Sequence, residues 1–156
     1  MAQEGIQKKM IELLAQNEEI ISELYLHCAR KNIAQYSFWS TLAQEELLHA
    51  SWLRKLGADI ESGKVRLDEN RFRADTIEES IRSIEGHLAQ FRQKPPSLKE
   101  AIAVAETIES TLAESEFFKV FATDDPLLQG LLRALAQACV EHRNRLLEMA
   151  RKEGVS

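Results

Sequence analysis

Apolar residues recur at helical spacing over four long stretches of the chain. The first runs from about Gln3 to Arg30 and the second from about Ile33 to Leu56, and only Lys31 and Asn32 separate them. This spacing predicts amphipathic α-helices, and so short a connection predicts that the two helices pack as an antiparallel hairpin. Gly57 is expected to end the second helix, because glycine commonly stands just past a helix C-terminus.

The segment from Ala58 to Pro96 is predicted to be a long crossover. It begins with a polar, charged stretch that is typical of a loop. Thr76 and Glu79 then have the spacing of a capping box, with Thr76 as the N-cap residue. Apolar positions at helical spacing follow, which predicts an accessory helix from about Ile77 to Arg92.

Two further helices follow the crossover. Ser97 is the N-cap of a second capping box, which opens a third helix from about Leu98 to Phe121. Asp125 as N-cap opens a fourth helix from Pro126 to about Lys152. No strand pattern is present, and glycine (6) and proline (3) are scarce. The prediction is an all-α chain of one domain, residues 1–156, in which two antiparallel hairpins form a four-helix bundle.

Polar residues of metal-ligand type interrupt the apolar stripe of each long helix. Glu46 and His49 are three residues apart on the second helix and share its buried face. Glu18, Glu109 and His142 interrupt the stripes of the first, third and fourth helices. Carboxylates and imidazoles in an apolar interior need a partner, and a metal ion satisfies both. The alternative is a set of helix-edge carboxylates near solvent, with core histidines bonded to nearby polar groups.

Counting residues along each hairpin places these side chains at one height. Glu18 lies fourteen residues before Asn32 and Glu46 lies fourteen after it. At the rise of an α-helix both are roughly 20 Å from the turn. Glu109 lies about fifteen residues before the second turn and His142 about eighteen after it. We therefore expect all five residues to meet at one level of the bundle.

The fourth helix departs from the E-x-x-H pattern of the second. The residue three before His142 is Cys139. Cys139 is a candidate ligand, although a thiolate favours softer metals, and its alternative role is that of a small buried apolar residue. Glu106, one turn before Glu109, is a further candidate for the missing carboxylate.

Charge and composition narrow the classes of partner. The formal net charge is −5 and there is no basic run, so we expect no nucleic-acid partner. No apolar run reaches the length of a membrane span, and the first residues lack a signal-peptide pattern, so we expect no membrane association. Cys28 and Cys139 form no C-x-x-C motif. A cytoplasmic protein with free thiols is expected.

Together these features resemble the rubrerythrin-like branch of the ferritin-like diiron-carboxylate superfamily, over essentially the whole chain. The resemblance rests on Glu18 with Tyr25, on Phe38 and Trp39 leading into Glu45, Glu46 and His49, on Glu109 with Phe117, and on Glu141 and His142. It implies a ferritin-like up-down-down-up bundle. Tyr25 and Trp39 are interpreted as core aromatics rather than redox relays.

The resemblance also implies a function. Glu18, Glu46, His49, Glu109 and His142, with Cys139 and Glu106 as further candidates, would hold two iron ions, with manganese or zinc as alternatives. The activity implied is that of a non-haem diiron oxidoreductase of peroxidase type that acts on peroxide or dioxygen. Rubredoxin-type paired C-x-x-C motifs are absent, so a separate protein would donate electrons, and a homodimer is expected. The alternative is a ferritin-like bundle with a degenerate site, holding one metal or none, that serves a binding or structural role.

Overall fold

Five α-helices and one short strand pair form the structure, a computed structural model that describes residues 2–67, 74–113 and 121–155. The helices are α1 (Ala2–Lys31), α2 (Tyr36–Glu61), α3 (Ala74–Gln93), α4 (Leu98–Ala113) and α5 (Pro126–Lys152). A 3₁₀ turn, Ile33–Gln35, joins α1 to α2. The strands are β1 (Arg66–Leu67) and β2 (Phe121–Ala122). The prediction of an all-α chain is confirmed at the level of fold class.

Helices α1 and α2 run antiparallel, as their short connection predicts. Contacts between them join early residues of α1 to late residues of α2: Lys8 pairs with Glu61, and Glu12 with Arg54 at 3.1 Å. Nearer the turn, the hydroxyl of Ser22 donates to the carbonyl oxygen of Ala43 at 2.7 Å. The height of each residue above the turn is therefore matched across the hairpin.

The prediction that Gly57 ends the second helix is wrong. Gly57 lies inside α2, where an added Cβ would come within 3.3 Å of Cγ2 of Ile11, so glycine there permits close approach of α1. The helix ends instead before Gly63, which has φ 79°. The amide of Lys64 donates to the carbonyl oxygen of Asp59 at 2.9 Å, the bond of a Schellman motif.

The expectation of no strand is also wrong. β1 and β2 pair antiparallel, with Arg66 opposite Ala122. The hydroxyl of Thr123 supports the pair by donating to the carbonyl oxygen of Lys64 at 2.7 Å. Two residues per strand are too few to produce an alternating pattern in the sequence. The pair ties the beginning of the crossover to the segment that precedes α5.

The accessory helix α3 packs against α1, with Ser80 bonded to Asn17 at 2.9 Å. It begins at Ala74, so Thr76 lies within the helix and is not its N-cap. The predicted helix start at Ser97 is confirmed, because Ser97 Oγ accepts a bond from the amide of Glu100 at 3.1 Å.

Of the predicted bounds of the last two helices, the end of the third helix is wrong and the start of the fourth is confirmed. The third helix does not reach Phe121 as predicted: α4 is described to Ala113, residues 114–120 lie outside the described residues, and Phe121 is in β2. Asp125 caps α5 as predicted, its carboxylate accepting from the amide of Leu127 at 2.9 Å. None of the helices in the described part of the chain combines the length and apolar character that crossing a membrane requires.

Candidate metal centre

Four helices bring three glutamates and two histidines together in the interior. The residues are Glu18 on α1, Glu46 and His49 on α2, Glu109 on α4 and His142 on α5, and none is more than 4% exposed. They form two groups of three, Glu18/Glu46/His49 and Glu46/Glu109/His142. Within each group, one ligand atom of every side chain lies within 4.8 Å of the others. Glu46 therefore belongs to both groups.

Helix geometry and packing account for this convergence. Glu46 and His49 are one turn apart on α2, with Nδ1 of His49 3.5 Å from Oε2 of Glu46. The rings of His49 and His142 stack with centroids 5.4 Å apart and planes at 23°. The side chain from α5 thus lies directly against the side chain from α2. All five residues meet at one point, as the residue counts from the two turns predict.

Both ring nitrogens of His142 contact carboxylates. Nδ1 lies 2.7 Å from Oε1 of Glu46 and 3.6 Å from Oε1 of Glu109. Nε2 lies 2.7 Å from Oε2 of Glu45, and Glu45 in turn pairs with the guanidinium of Arg145. Nδ1 is therefore the nitrogen that faces the cluster, while Nε2 faces a half-buried ion pair.

Glu45 is a candidate functional residue that sequence reasoning missed. It directly precedes Glu46, and one residue rotates a side chain by about 100° around a helix, which predicts a surface position. A signal was present on α5, where Arg145 follows His142 by three residues and shares its side of the helix. The neighbouring helix α2 supplies the carboxylate of Glu45, which pairs with that arginine.

Tyr25 does more than fill the core. It is fully buried, as predicted, and its hydroxyl donates to Oε1 of Glu109 at 2.6 Å. Its ring lies 5.6 Å from that of Trp39. The hydrogen bond holds Glu109 by one carboxylate oxygen, and the other oxygen, Oε2, has no hydrogen-bond partner in the part of the chain that the structure describes.

Burial and mutual repulsion shift the protonation of the cluster. Burial raises the pKa of Glu18 well above its usual value, and the carboxylates of Glu46 and Glu109 raise it further. Burial likewise raises the pKa of Glu109. Against the effect of burial, hydrogen bonds from Glu18, His142 and His49 hold the pKa of Glu46 below its usual range. Also against burial, the bonds to Glu109 and Glu46 raise the pKa of His142 to about 10. The metal-free cluster therefore holds protons that a cation would displace.

Whether a metal ion fits the cluster can be judged from two of its carboxylate oxygens. Oε2 of Glu18 and Oε2 of Glu109 are buried without a hydrogen-bond partner among the described residues. A buried carboxylate oxygen without a donor is costly, and a cation is the partner that removes the cost. Carboxylate and imidazole donors in this number suit first-row divalent ions such as iron, manganese and zinc. The donor set fits a metal centre.

The two further candidate ligands stand outside the groups. Cys139 is buried, and burial, reinforced by the carboxylates of Glu18, Glu46 and Glu109, raises the pKa of its thiol far above the ordinary value. Cys139 also joins neither ligand group among the described residues. Glu106 is half-buried and joins neither group among the described residues. The packing role of Cys139 therefore agrees better with the structure than the ligand role.

Comparison with protein-family models, curated proteins and solved structures finds no match for this chain. Fold and site together define an all-helical protein with a buried carboxylate–histidine cluster. The rubrerythrin-like resemblance depends on the residues themselves.

Proposed function

We propose that this chain is a ferritin-like, rubrerythrin-type protein whose cluster binds two iron ions and acts on peroxide or dioxygen. In this proposal α1, α2, α4 and α5 form an up-down-down-up bundle, and α3 belongs to the crossover. The observation that supports it best is the sharing of Glu46 between two buried groups, each of two carboxylates and one histidine. A carboxylate common to two ligand sets is what a dinuclear centre requires.

Each group supplies the ligands of one ion. Glu18, Glu46 and His49 would hold the first, and Glu109 and His142 would hold the second, with Glu46 as the bridge. The irons, when bound, supply the electrons that reduce the oxidant. Three carboxylates offset most of the charge of two divalent ions, which makes their burial tolerable.

The surrounding residues keep the ligands in place and restrict water. Tyr25 fixes Glu109 through its hydroxyl, and the two stacked histidine rings limit each other's rotation. Burial of all five ligands restricts access to small oxidants. In this proposal a separate protein returns electrons to the centre, since the 156 residues contain no C-x-x-C pair.

A second function is supported by one observation. Cys139 occupies the position that a second E-x-x-H motif would give to glutamate, and it joins neither ligand group. The cluster therefore has three carboxylates, Glu18, Glu46 and Glu109, where the ferritin-like dinuclear pattern has four. A centre that holds a single ion in this cluster, without turnover, is the function this observation favours.

Measuring the number of bound metal ions per chain distinguishes the two-iron function from the single-ion function. Purified protein incubated anaerobically with Fe²⁺ is expected to retain two ions per chain and, in the ferrous state, to consume hydrogen peroxide. Replacing His49 by Ala should remove most bound iron, whereas His27→Ala on α1, outside both groups, should not. One ion per chain without peroxide consumption would establish the binding function instead. No retained iron, manganese or zinc would contradict a metal centre altogether.

Cys139→Glu is expected to supply the fourth carboxylate that the cluster lacks. The substitution restores E-x-x-H on α5 and should raise affinity for the second ion by about tenfold, equivalent to about 1.4 kcal/mol. Without metal the same variant should melt at a lower temperature, because it buries a fourth carboxylate. Metal titration and thermal unfolding with and without Fe²⁺ measure both effects.

Cys139→Ala is the matched control for that variant. It removes the thiol and adds no ligand, so both affinities should stay near those of the unsubstituted protein. Loss of one ion in Cys139→Ala would show that the thiol is a ligand. Unchanged affinity in Cys139→Glu would contradict the interpretation that the cluster lacks a fourth carboxylate.

A further inference from the structure

A half-buried ion pair lies directly behind the histidine of α5. Oε2 of Glu45 is 2.7 Å from Nε2 of His142, and the guanidinium of Arg145 contacts both oxygens of Glu45, one of them at 3.4 Å. The pair joins α2 to α5. It lies beside a surface cleft of about 400 Å³ that is also lined by Glu141, Asn144 and Glu148.

We propose that Glu45, held by Arg145, is a positioning residue that fixes the orientation and tautomer of His142. With the Nε2 proton directed at Glu45, Nδ1 faces Glu46 and Glu109, and the Nδ1 proton is the one that a bound metal ion would displace. The inference rests on the proposed function as far as metal affinity is concerned. The orientation of the ring is a property of the protein with or without metal.

The chemistry of imidazole gives Glu45 this effect. A neutral imidazole carries one proton, and only the other nitrogen can bind a metal. An acceptor at Nε2 therefore selects Nδ1 as the metal ligand and stops the ring from turning over. Outer partners of this kind typically account for 10- to 100-fold in metal affinity.

Because of the sequence of α5, binding of the second ion depends on how firmly Glu45 holds His142. Cys139 stands where a carboxylate ligand is expected, so His142 is the ligand that α5 contributes to the groups found among the described residues. A misplaced His142 leaves that ion with Glu46 and Glu109 alone. The first ion, on Glu18, Glu46 and His49, does not use α5 and should be insensitive.

The test compares Glu45→Ala with Glu141→Ala in titrations with Co²⁺, followed by its visible absorption and by bound metal per chain. Both variants remove one carboxylate from the same cleft, but only Glu45 contacts His142. Glu45→Ala is expected to weaken the second Co²⁺ by about 10- to 100-fold and leave the first within about twofold. Glu141→Ala should leave both within about twofold. If both variants weaken the second Co²⁺ equally, the proposal is wrong. The loss of affinity would then reflect only the general electrostatic attraction of the cleft for cations.

A metal-free measurement separates this proposal from the function it rests on. In ¹⁵N spectra of the protein in chelator, the proton on Nε2 of His142 should be protected from exchange, and Glu45→Ala should abolish that protection. Arg145→Met, which leaves Glu45 in place, should reduce it in part. If these signals behave so but no metal binds, the proposed function fails and the positioning role stands. If two ions bind and Glu45→Ala changes neither the second affinity nor the Nε2 proton, the positioning role fails alone.

Discussion

Glu46→Gln is expected to weaken both metal ions at once, by more than about 100-fold each. Glu46 is the residue common to the two ligand groups, with Oε1 2.7 Å from Nδ1 of His142 and Oε2 3.5 Å from Nδ1 of His49. Glutamine preserves the volume of the side chain and one acceptor oxygen, so the protein should still fold. It lacks the negative charge and the second anionic oxygen that a bridge needs. Outer-sphere changes already cost 10- to 100-fold, and loss of a bridging ligand should exceed them.

Two further Glu→Gln variants serve as controls for this prediction. Glu109→Gln, in one group only, should weaken the second ion and spare the first. Glu106→Gln, on the same helix but in neither group, should change neither. Bound metal per chain after equilibrium dialysis measures all three variants. If Glu46→Gln keeps one ion at full affinity, Glu46 is not a bridge and the two groups are alternative sites for a single ion.

Helix periodicity and residue counting predicted most of what positions the site. The break after α1 is so short that an antiparallel hairpin follows, and a constant rise per residue then places Glu18 level with Glu46. The same count brings Glu109 close to His142, which the structure shows within 3.6 Å. These predictions succeed because, in a long and regular helix, the position of a residue in space follows from its number in the sequence.

The wrong predictions concern features that depend on a contact with a distant residue rather than on the helical repeat of apolar residues. Gly57 has the sequence signature of a helix end, but the close approach of Ile11 is the reason for glycine there, and α2 continues past it. Pairing of Arg66 with Ala122 requires two segments more than fifty residues apart to meet, which no local pattern encodes. Glu45 was missed for the same reason, since its partners are on α5.

The unusual protonation of the cluster predicts how the metal-free protein responds to pH. The pKa of His142 is raised to about 10 from an ordinary value of 6.5, so its contribution to stability is complete below pH 6.5 and is lost as pH rises through 10. The raised pKa values of Glu18 and Glu109 act in the same direction, because the unfolded chain ionises first as pH rises above about 4.5. The depressed pKa of Glu46 acts on the acid side, where its contribution is lost as pH falls below about 4.5. Stability without metal should therefore be greatest near pH 4.5 and should fall as pH rises, with the contribution of His142 lost only above pH 6.5.

In chelator, the proton that folded His142 retains and the unfolded chain has lost should lower the free energy of unfolding by up to about 1.4 kcal/mol per pH unit, hence by about 3 kcal/mol between pH 6.5 and 9. Protons retained by Glu18 and Glu109 add to this fall. Urea unfolding followed by circular dichroism at these pH values measures it. His142→Gln should flatten the slope, whereas His87→Gln on α3, outside the cluster, should retain it. With Fe²⁺ in anaerobic excess the slope should reverse, because ligands must lose protons to bind metal and binding then adds to stability. A metal-free protein whose stability is constant or rises from pH 6.5 to 9 would show that the buried cluster holds no displaceable protons.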